Sequence, residues 1–482
     1  MESQSLSSPL VGISDYQREN GEVKGRREVL LAEVKKLVCL AGPLIASSLL
    51  QTILQMISVM FAAHLGELSF FAASKATSFA NVTGFSLMVG MAAALETFCG
   101  QAFGAKQNHM LGIYLQRAML VLVVVCIPVS IVWANAGQIL MAIGQDKDIS
   151  SEAGVYAKWL IPALFAFGPL HCCIRFLQTQ SIVIPVMVAS AVTALLHLLV
   201  CWLLVFKFGL GSRGAALSNS MAYWVNLMML ALYVRLSPSC KKSWNGFSRE
   251  AFHGLLSFIR LAIPSGIMVW MEFWLFESVV NFSGLLPNPK LETTTIPIIY
   301  NTAMLIFMIP YGLAAAVSTR VSNELGAGRP KAACLAAHVV IILAMLVGLA
   351  VGLILILVRN IWGYAYSNEV EVVKYVSILL PIVAASNLVD GLQAVLSGVA
   401  RGCGWQTPAA FVNAGAYNVV GIPSAALLAF TAHLGGKGLW MGIVCGLTVQ
   451  LMVLLIITLS TDWENEAKKA KQRVHNNPIP IE

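Results

Sequence analysis

The chain has 482 residues, of which 58% are hydrophobic and only 11% charged, and its mean hydropathy is +0.77. Soluble domains carry about 25% charged residues, so this composition all but excludes a soluble enzyme and predicts a helical protein that crosses the membrane many times. The chain has a net charge of +8. In a membrane protein such an excess of positive charge usually lies in the cytosolic loops, so it does not indicate nucleic-acid binding.

Twelve apolar segments of about 20–28 residues are long enough to cross a bilayer. When the N-terminus is placed in the cytosol, 22 of the 31 lysines and arginines fall on the cytosolic side, so we expect both termini there. The predicted segments are 37–62, 70–97, 112–136, 152–176, 181–206, 214–236, 258–286, 296–322, 332–358, 372–399, 406–432 and 438–460.

The chain repeats itself at a spacing of about 222 residues. The segment from Gly90 to Ala105 matches the segment from Gly312 to Ala327 at seven of 16 positions, and shorter matches recur at offsets between 219 and 224. Each half therefore holds six segments, and an even number gives both halves the same orientation. The predicted fold is an all-α integral membrane protein with two six-helix bundles, related by a pseudo-two-fold axis along the membrane normal.

These boundaries divide the chain into five parts. The two bundles span 37–236 and 258–460, and a basic loop links them in the cytosol. The remaining parts are a cytosolic N-terminal tail, 1–36, the linker itself, 237–257, and a cytosolic C-terminal tail, 461–482.

Acidic residues inside the segments are the strongest functional signal, because each costs about 2.5–3.5 kcal/mol near the bilayer centre. Glu272 lies 12 residues from Arg260, and Asp390 lies 11 residues from Arg401. At 1.5 Å per residue, both carboxyls lie about 16–18 Å from the cytosolic edge, on the seventh and tenth helices. We expect these two acids to be functional and to bind protons.

Polar residues near the two acids are expected to support them. Ser386, Asn387 and Gln393 lie at helical spacing from Asp390 and share its face. Tyr300 and Asn301 are further supporting candidates. A structural hydrogen-bond seam between helices is the alternative interpretation of this polar face.

The repeat also relates the acids to neutral residues of the first half. Gln51 is the counterpart of Glu272, and His171 is the counterpart of Asp390. We expect both to line the interior, and we place them among the candidates for a substrate cleft. The other cleft candidates are aromatic residues that stack on planar substrates or pack against lipid: Trp270, Phe273, Trp274 and Phe307.

Two further residues are candidates for a hinge and for a gate. Pro310 interrupts the eighth segment and has no proline at the equivalent position of the first half, so it is the hinge candidate. Glu96 lies ten residues before Lys106 in a glycine-rich stretch; it is either a structural residue at a helix end or a gate.

Several enzyme signatures are absent from the sequence. No phosphate-binding GxxxxGK[ST] loop, no HExxH motif and no GxSxG elbow occurs, and the ten cysteines show no metal-site spacing. We expect no cofactor, no metal and no enzymatic activity.

Five motifs together resemble the multidrug and toxic compound extrusion (MATE) family, in particular its plant branch. They are Glu96-Thr-Phe-Cys-Gly-Gln-Ala-Phe-Gly-Ala, Arg175-Phe-Leu-Gln-Thr-Gln, Ser283-Gly-Leu-Leu-Pro-Asn-Pro-Lys, Arg320-Val-Ser-Asn-Glu-Leu-Gly-Ala-Gly and Gly398-Val-Ala-Arg-Gly-Cys-Gly-Trp-Gln. The resemblance covers about 36–460. One departure is Trp270-Met-Glu-Phe-Trp274, where plant relatives often have Cys-Leu-Glu-Trp-Trp; it affects the expected substrate more than the coupling.

The resemblance implies a twelve-helix exporter that exchanges protons, or sodium in some bacterial branches, for organic cations and plant secondary metabolites. Its proton-linked acids map onto Glu272 and Asp390. The expected partners are small organic molecules and the lipid bilayer, the expected location is the plasma or vacuolar membrane, and a monomer is expected. A sodium-coupled exporter and a flippase for lipid-linked precursors are the alternatives; a flippase favours a strongly basic cavity.

Overall fold

The computed structural model describes the backbone of residues 11–475 and the side chains of residues 27–475, and it is helical throughout that range. A short helix, Ala136–Ala142, lies between the third and fourth long helices, and four π-helical segments lie within three of the long ones, the second, the fifth and the eleventh. The long helices are α1 (Val11–Ala63), α2 (Glu67–Gly104), α3 (Asn108–Ala134), α4 (Lys147–Thr179), α5 (Ile184–Lys207), α6 (Gly211–Leu236), α7 (Leu255–Ser283), α8 (Pro289–Gly326), α9 (Pro330–Ala365), α10 (Val370–Cys403), α11 (Gln406–Thr431), α12 (Gly436–Leu459) and α13 (Trp463–His475).

Within the described residues, eleven helices are long and apolar enough to cross a membrane. The remaining helix of spanning length is α6, which occupies the position of the predicted sixth segment. It is more polar than the others, because Ser218, Asn219, Ser220 and Asn226 lie on it, and all four are buried. Its polar side chains face the protein, so α6 remains in the position that the sequence predicts.

The predicted tails are only partly within the described residues, since 1–10 and 476–482 lie outside them. Helix α1 begins at Val11, so residues 11–36 of the predicted N-terminal tail continue the first helix. The predicted C-terminal tail contains α13. The residues around Glu33 in α1 and helix α13 lie at the same end of the molecule, because Glu33 pairs with Arg320 of α8 and α13 packs beside the neighbouring Val321. We call this end the inner end and the opposite end the outer end.

The packing of the helices has the expected two-fold symmetry. Helix α1 packs on α8, and its repeat counterpart α7 packs on α2. Within each bundle the equivalent pairs also pack together: α3 on α4 and α9 on α10, α4 on α6 and α10 on α12, α1 on α5 and α7 on α11. The prediction of two six-helix bundles related by a pseudo-two-fold axis is confirmed.

Glycines at equivalent positions allow the two bundles to approach closely. A Cβ atom on Gly90 of α2 would lie 2.6 Å from the carbonyl oxygen of Ser265 on α7, and one on Gly312 of α8 would lie 2.4 Å from Ile45 of α1. Near the inner end, a Cβ on Gly104 would meet α8 and one on Gly326 would meet α2, each within 2.1 Å of a carbonyl oxygen. Any side chain at these positions would separate the bundles.

Candidate functional site

Glu272 and Asp390 are joined by a single amide group. The Nε2 atom of Gln393 donates to Asp390 Oδ1 at 2.8 Å and to Glu272 Oε1 at 3.2 Å, and Ser397 Oγ donates to Gln393 Oε1 at 3.3 Å. Asp390 and Gln393 are buried, whereas Glu272 is half-buried. The two acids on α7 and α10 thus form one site inside the second bundle, which we call the carboxyl pair.

A polar network that the sequence analysis did not find surrounds the carboxyl pair. Tyr417 of α11 is fully buried, interacts electrostatically with both carboxyls and donates a hydrogen bond to Gln450 of α12. Gln450 Nε2 donates to Asn413 Oδ1 at 2.8 Å, and Asn413 Nδ2 donates to the carbonyl oxygen of Met268 at 2.8 Å. The network ends on the backbone of α7 one turn before Glu272, so it couples α11 and α12 to the helix that carries this acid.

The other polar candidates on α10 face different neighbours. Ser386 is buried and accepts a hydrogen bond from Trp440 Nε1 of α12 at 3.0 Å. Asn387 lines a small cavity between α8, α9 and α10, together with Pro310 and Gly391. Pro310, the hinge candidate, therefore packs beside the residue that follows Asp390.

Tyr300 and Asn301 lie away from the carboxyl pair. Tyr300 interacts with Glu277, whose buried carboxyl also interacts with Ser78 and Lys75 of α2. Asn301 is exposed. The turn of about 500° over the five residues between Glu272 and Glu277 explains why these glutamates belong to different sites.

The aromatic cleft candidates of the second bundle retain exposed surface. Trp270, Phe273 and Phe307 are half-buried, and Trp274 is exposed. The rings of Trp270 and Trp274 lie 5.8 Å apart, and Phe307 lies 6.1 Å from Tyr311 on the next turn of α8. Trp270 and Phe273 flank Glu272 in sequence, but side chains one or two residues apart on a helix point in different directions, so their place in the sequence alone does not bring these rings to the carboxyl pair.

In the first bundle, the counterparts of the acids form no equivalent pair. Gln51 is half-buried and donates to Ser47 Oγ at 3.3 Å. His171 is buried against the ring of Phe167 at 4.3 Å, and neither of its ring nitrogens has a hydrogen-bond partner. The second bundle therefore has a charged site where the first has neutral side chains.

Glu96 joins the two bundles at the inner end. Its Oε1 atom lies 2.9 Å from Arg175 Nη1 of α4, and its Oε2 atom lies 2.9 Å from Arg401 Nε of α10. All three side chains are buried. Sequence reasoning used Arg401 as a marker of the cytosolic membrane edge; the structure places it inside the protein, where it shares one carboxylate with Arg175.

Further hydrogen bonds between the bundles surround this ion-pair cluster, which we call the inner lock. Gln178 Nε2 of α4 donates to the carbonyl oxygen of Ala315 on α8 at 2.9 Å, and Arg175 Nη2 donates to Tyr311 Oη at 2.6 Å. Thr97 donates to the Arg401 carbonyl oxygen, and Gln101 Nε2 donates to that of Gly402 at 3.2 Å. In this structure, the inner end between the bundles is closed.

The sequence does contain a signal for the inner lock. Arginines within membrane-spanning helices are rare unless they are paired, and Arg175 and Arg401 both lie in stretches whose other residues are uncharged. The pairing itself joins α2, α4 and α10, which are far apart in the chain, so spacing alone does not reveal it.

The described residues contain no cluster of three or more His, Cys, Asp or Glu side chains suited to holding a metal ion. The carboxyl pair has two acidic side chains with an amide donor between them.

The fold and this site are those of a polytopic helical membrane protein with an acidic pair inside one of two repeated bundles. The MatE family model matches residues 43–203 and 264–427, most of both bundles. Protein DETOXIFICATION 16 of Arabidopsis thaliana is 55% identical over 467 residues, which cover 96% of each chain; Protein DETOXIFICATION 17 of the same plant is 54% identical over 442 residues, covering 92% of this chain and 93% of the relative.

Solved structures agree with these relatives. The crystal structure of the eukaryotic MATE transporter AtDTX14 superposes with a TM-score of 0.90 at 46% identity and covers 92% of this chain and all of that one. A multidrug resistance MATE family transporter solved in an outward-facing conformation shares the fold, with a TM-score of 0.77 at 15% identity over 92% of this chain and 96% of that one. The chain belongs to the MatE family of membrane transporters, whose members act in multidrug efflux.

Neutralising Glu96 tests the inner lock as a stabilising element. In Glu96→Gln, two buried arginines lose their shared counter-charge, so we expect the free energy of unfolding to fall by about 3–5 kcal/mol. Thermal unfolding of the purified protein in detergent measures this as a lower midpoint.

The matched control is Glu67→Gln, the same substitution at an exposed position of α2, for which we expect almost no change. Equal midpoints for the two variants would show that Glu96 does not stabilise the contact between the bundles.

Proposed function

We propose that this transporter is a proton-coupled antiporter that exports organic cations, xenobiotics or plant secondary metabolites from the cytosol by alternating access. The observation that carries the proposal is the carboxyl pair, in which one amide of Gln393 serves both acids within the membrane-spanning helices. The inner end is taken to face the cytosol.

The proton is the natural ligand of this arrangement. Two ionised carboxyls on neighbouring helices repel each other at low effective dielectric, and the Gln393 amide supplies each of them with only one hydrogen. A proton bound to one carboxyl removes the repulsion and lets the two groups share a hydrogen bond. A bound organic cation neutralises the pair in a different way, so proton and substrate compete for the same negative charge.

Sodium suits the pair less well. Na⁺ needs several oxygen ligands, whereas the group between the two carboxyls is an N–H donor, which repels a cation. The amide oxygen of Gln393 faces Ser397, from which it accepts a hydrogen bond. The geometry therefore favours protons over the sodium-coupled alternative.

Helix α10 offers a mechanical link between proton binding and access. Asp390, Gln393, Ser397 and Arg401 follow one another at spacings of three or four residues, so they lie along one face. Arg401 belongs to the inner lock and also interacts electrostatically with Glu272. A shift of α10 on protonation therefore changes the inner lock as well.

The transport cycle follows from this link. A proton from the acidic side forms an O–H bond on Glu272 or Asp390, which cancels the charge that holds a cationic substrate, and the substrate leaves. When the pair faces the cytosol, the O–H bond breaks, the proton enters the cytosol and a new substrate binds. The half-buried rings of Trp270, Phe273 and Phe307 supply stacking surface for planar cations.

The charge of the protein interior does not favour a flippase for lipid-linked precursors. Such a substrate carries phosphate and requires an excess of positive charge between the bundles. Arg175 and Arg401, which lie buried there, share the single carboxylate of Glu96 and leave one positive charge. The carboxyl pair adds two acidic groups, so the acids of the interior outnumber these arginines. We further propose that the transporter acts as a monomer in the plasma or vacuolar membrane with both termini in the cytosol.

Removing the acids tests proton coupling. In proteoliposomes with an imposed pH gradient, we expect Glu272→Gln and Asp390→Asn each to reduce uptake of a fluorescent organic cation such as ethidium to the level of empty liposomes, because a neutral amide cannot exchange a proton. The measurement is the initial rate of uptake with and without the gradient.

Glu371→Gln, at an exposed position near the start of α10, is the control and should keep the wild-type rate. Full gradient-driven exchange in both acid variants would refute the assignment. A rate that follows sodium at fixed pH and disappears in potassium would support sodium coupling instead.

Substitution of the bridging amide tests the geometry of the pair. Gln393→Leu leaves two acids without their common donor, so we expect gradient-driven uptake to fall by about tenfold, corresponding to the loss of about 1.4 kcal/mol of hydrogen bonding to charged groups. The same transport assay measures the loss.

Ser397→Ala removes only the hydrogen bond to Gln393 Oε1, so it should reduce gradient-driven uptake less than Gln393→Leu does. If Gln393→Leu transports at the wild-type rate with an unchanged pH dependence, the amide does not organise the carboxyl pair.

A further inference from the structure

Helix α13, which follows the last spanning helix, is docked across the inner end. Its apolar residues Ala467, Ala470 and Val474 are buried, and the first two pack with Val321 and Leu325 of α8. Its remaining face is strongly polar, and Lys468 and Lys471 are exposed. The helix is thus fixed against the second bundle by one narrow apolar stripe.

Polar contacts anchor α13 at the corner between α10 and α11. Trp405 Nε1 donates to Glu466 Oε2 at 3.0 Å, and Lys469 Nζ donates to Glu466 Oε1 at 2.7 Å. The Glu466 carboxylate is buried between these two donors. Helix α13 therefore has a defined register on the second bundle.

One side chain of α13 also reaches the first bundle. Arg473 Nη1 donates to the carbonyl oxygen of Cys403 on α10 at 2.8 Å and to Gln101 Oε1 on α2 at 3.3 Å. Burial lowers the pKa of the Arg473 guanidinium, and the nearby Glu466 carboxylate opposes that shift. A single half-buried cation thus contacts both bundles.

The corner has room for this guanidinium because residue 404 is glycine. Gly404 has a φ of 84°, and a Cβ atom there would lie 2.5 Å from Arg473 Nη1. The Gln101 side chain that accepts from Arg473 also donates to the carbonyl oxygen of Gly402, within the inner lock. The side-chain amide of Gln101 therefore connects Arg473 to the inner lock.

We propose that α13 is a clamp on the cytosolic gate: Arg473 holds α2 of the first bundle to α10 of the second, and the transporter opens to the cytosol only when this contact breaks. The proposal rests on alternating access but not on the nature of the coupling ion. Helix α13 follows the last spanning helix, so the clamp is formed by this chain's C-terminal segment.

Electron paramagnetic resonance distances between two spin labels on the full-length protein test the clamp. Labels at His109, at the start of α3, and Lys331, at the start of α9, lie on exposed inner-end positions of opposite bundles. Cys39, Cys334 and Cys445, the cysteines that are not buried, are first replaced by serine. In detergent at one fixed pH without substrate, a longer distance reports the state open to the cytosol.

We expect Arg473→Gln to raise the ratio of long to short distances by about tenfold, because it removes the charged hydrogen bond to Gln101, which is the one of the two that crosses between the bundles. The control Lys471→Gln removes one positive charge from an exposed position of the same helix and should leave the distribution unchanged. A distribution in Arg473→Gln identical to that of the wild type, or an equal shift in the control, would overturn the proposal.

If Arg473→Gln does not give a stable protein, Arg473→Lys is measured instead. It keeps the charge, but its shorter side chain does not place a donor where Arg473 Nη1 meets both acceptors, so a smaller shift in the same direction is expected, and no shift overturns the proposal. The same samples in proteoliposomes separate the two proposals. If the distances shift but transport does not depend on the pH gradient, the clamp is supported and proton coupling is refuted. If the distances do not shift but transport is driven by protons, only the clamp is refuted.

Discussion

The sharing of one amide by the buried carboxyl of Asp390 and the half-buried carboxyl of Glu272 is the constraint on which the proposed mechanism depends. Glu272 and Asp390 come from different helices, and the Gln393 amide brings one oxygen of each within 3.2 Å of the same nitrogen. Such an arrangement is costly in a membrane when both acids are ionised. The site is therefore sensitive to the binding of one proton or one cation, which is what an exchanger requires.

The two-fold repeat determines how the helices pack, whereas the charged residues of the proposed mechanism lie where the two halves differ. Equivalent glycines bring α2 to α7 and α8 to α1 at equal closeness, so the scaffold is nearly symmetric. The acids have only neutral counterparts in Gln51 and His171. The inner lock is also asymmetric, since Ser318 stands at the repeat position of Glu96. Charge is concentrated where the bundles meet at the inner end and within the second bundle.

Much of this could be predicted from the sequence, because the signals involved are local or periodic. Apolar length predicted the spans, the repeat predicted the paired packing, and depth counted along two helices placed Glu272 and Asp390 at one level. Contacts between distant helices were not predictable. Arg401 looked like a residue of the membrane edge because its partner, Glu96, lies on another helix. Tyr300 looked like a neighbour of the acids, but its position along α8 brings it to Glu277. The role of Arg473 depends on how α13 folds back, which no spacing encodes.

The most direct test of the central claim is proton release when substrate binds. Purified protein in weakly buffered detergent solution is mixed with ethidium, and a pH indicator records the protons set free. The account predicts about one proton released per bound cation by the wild type and none by the double variant Glu272→Gln, Asp390→Asn. Equal release from the two proteins, or binding by the wild type without release, would contradict it.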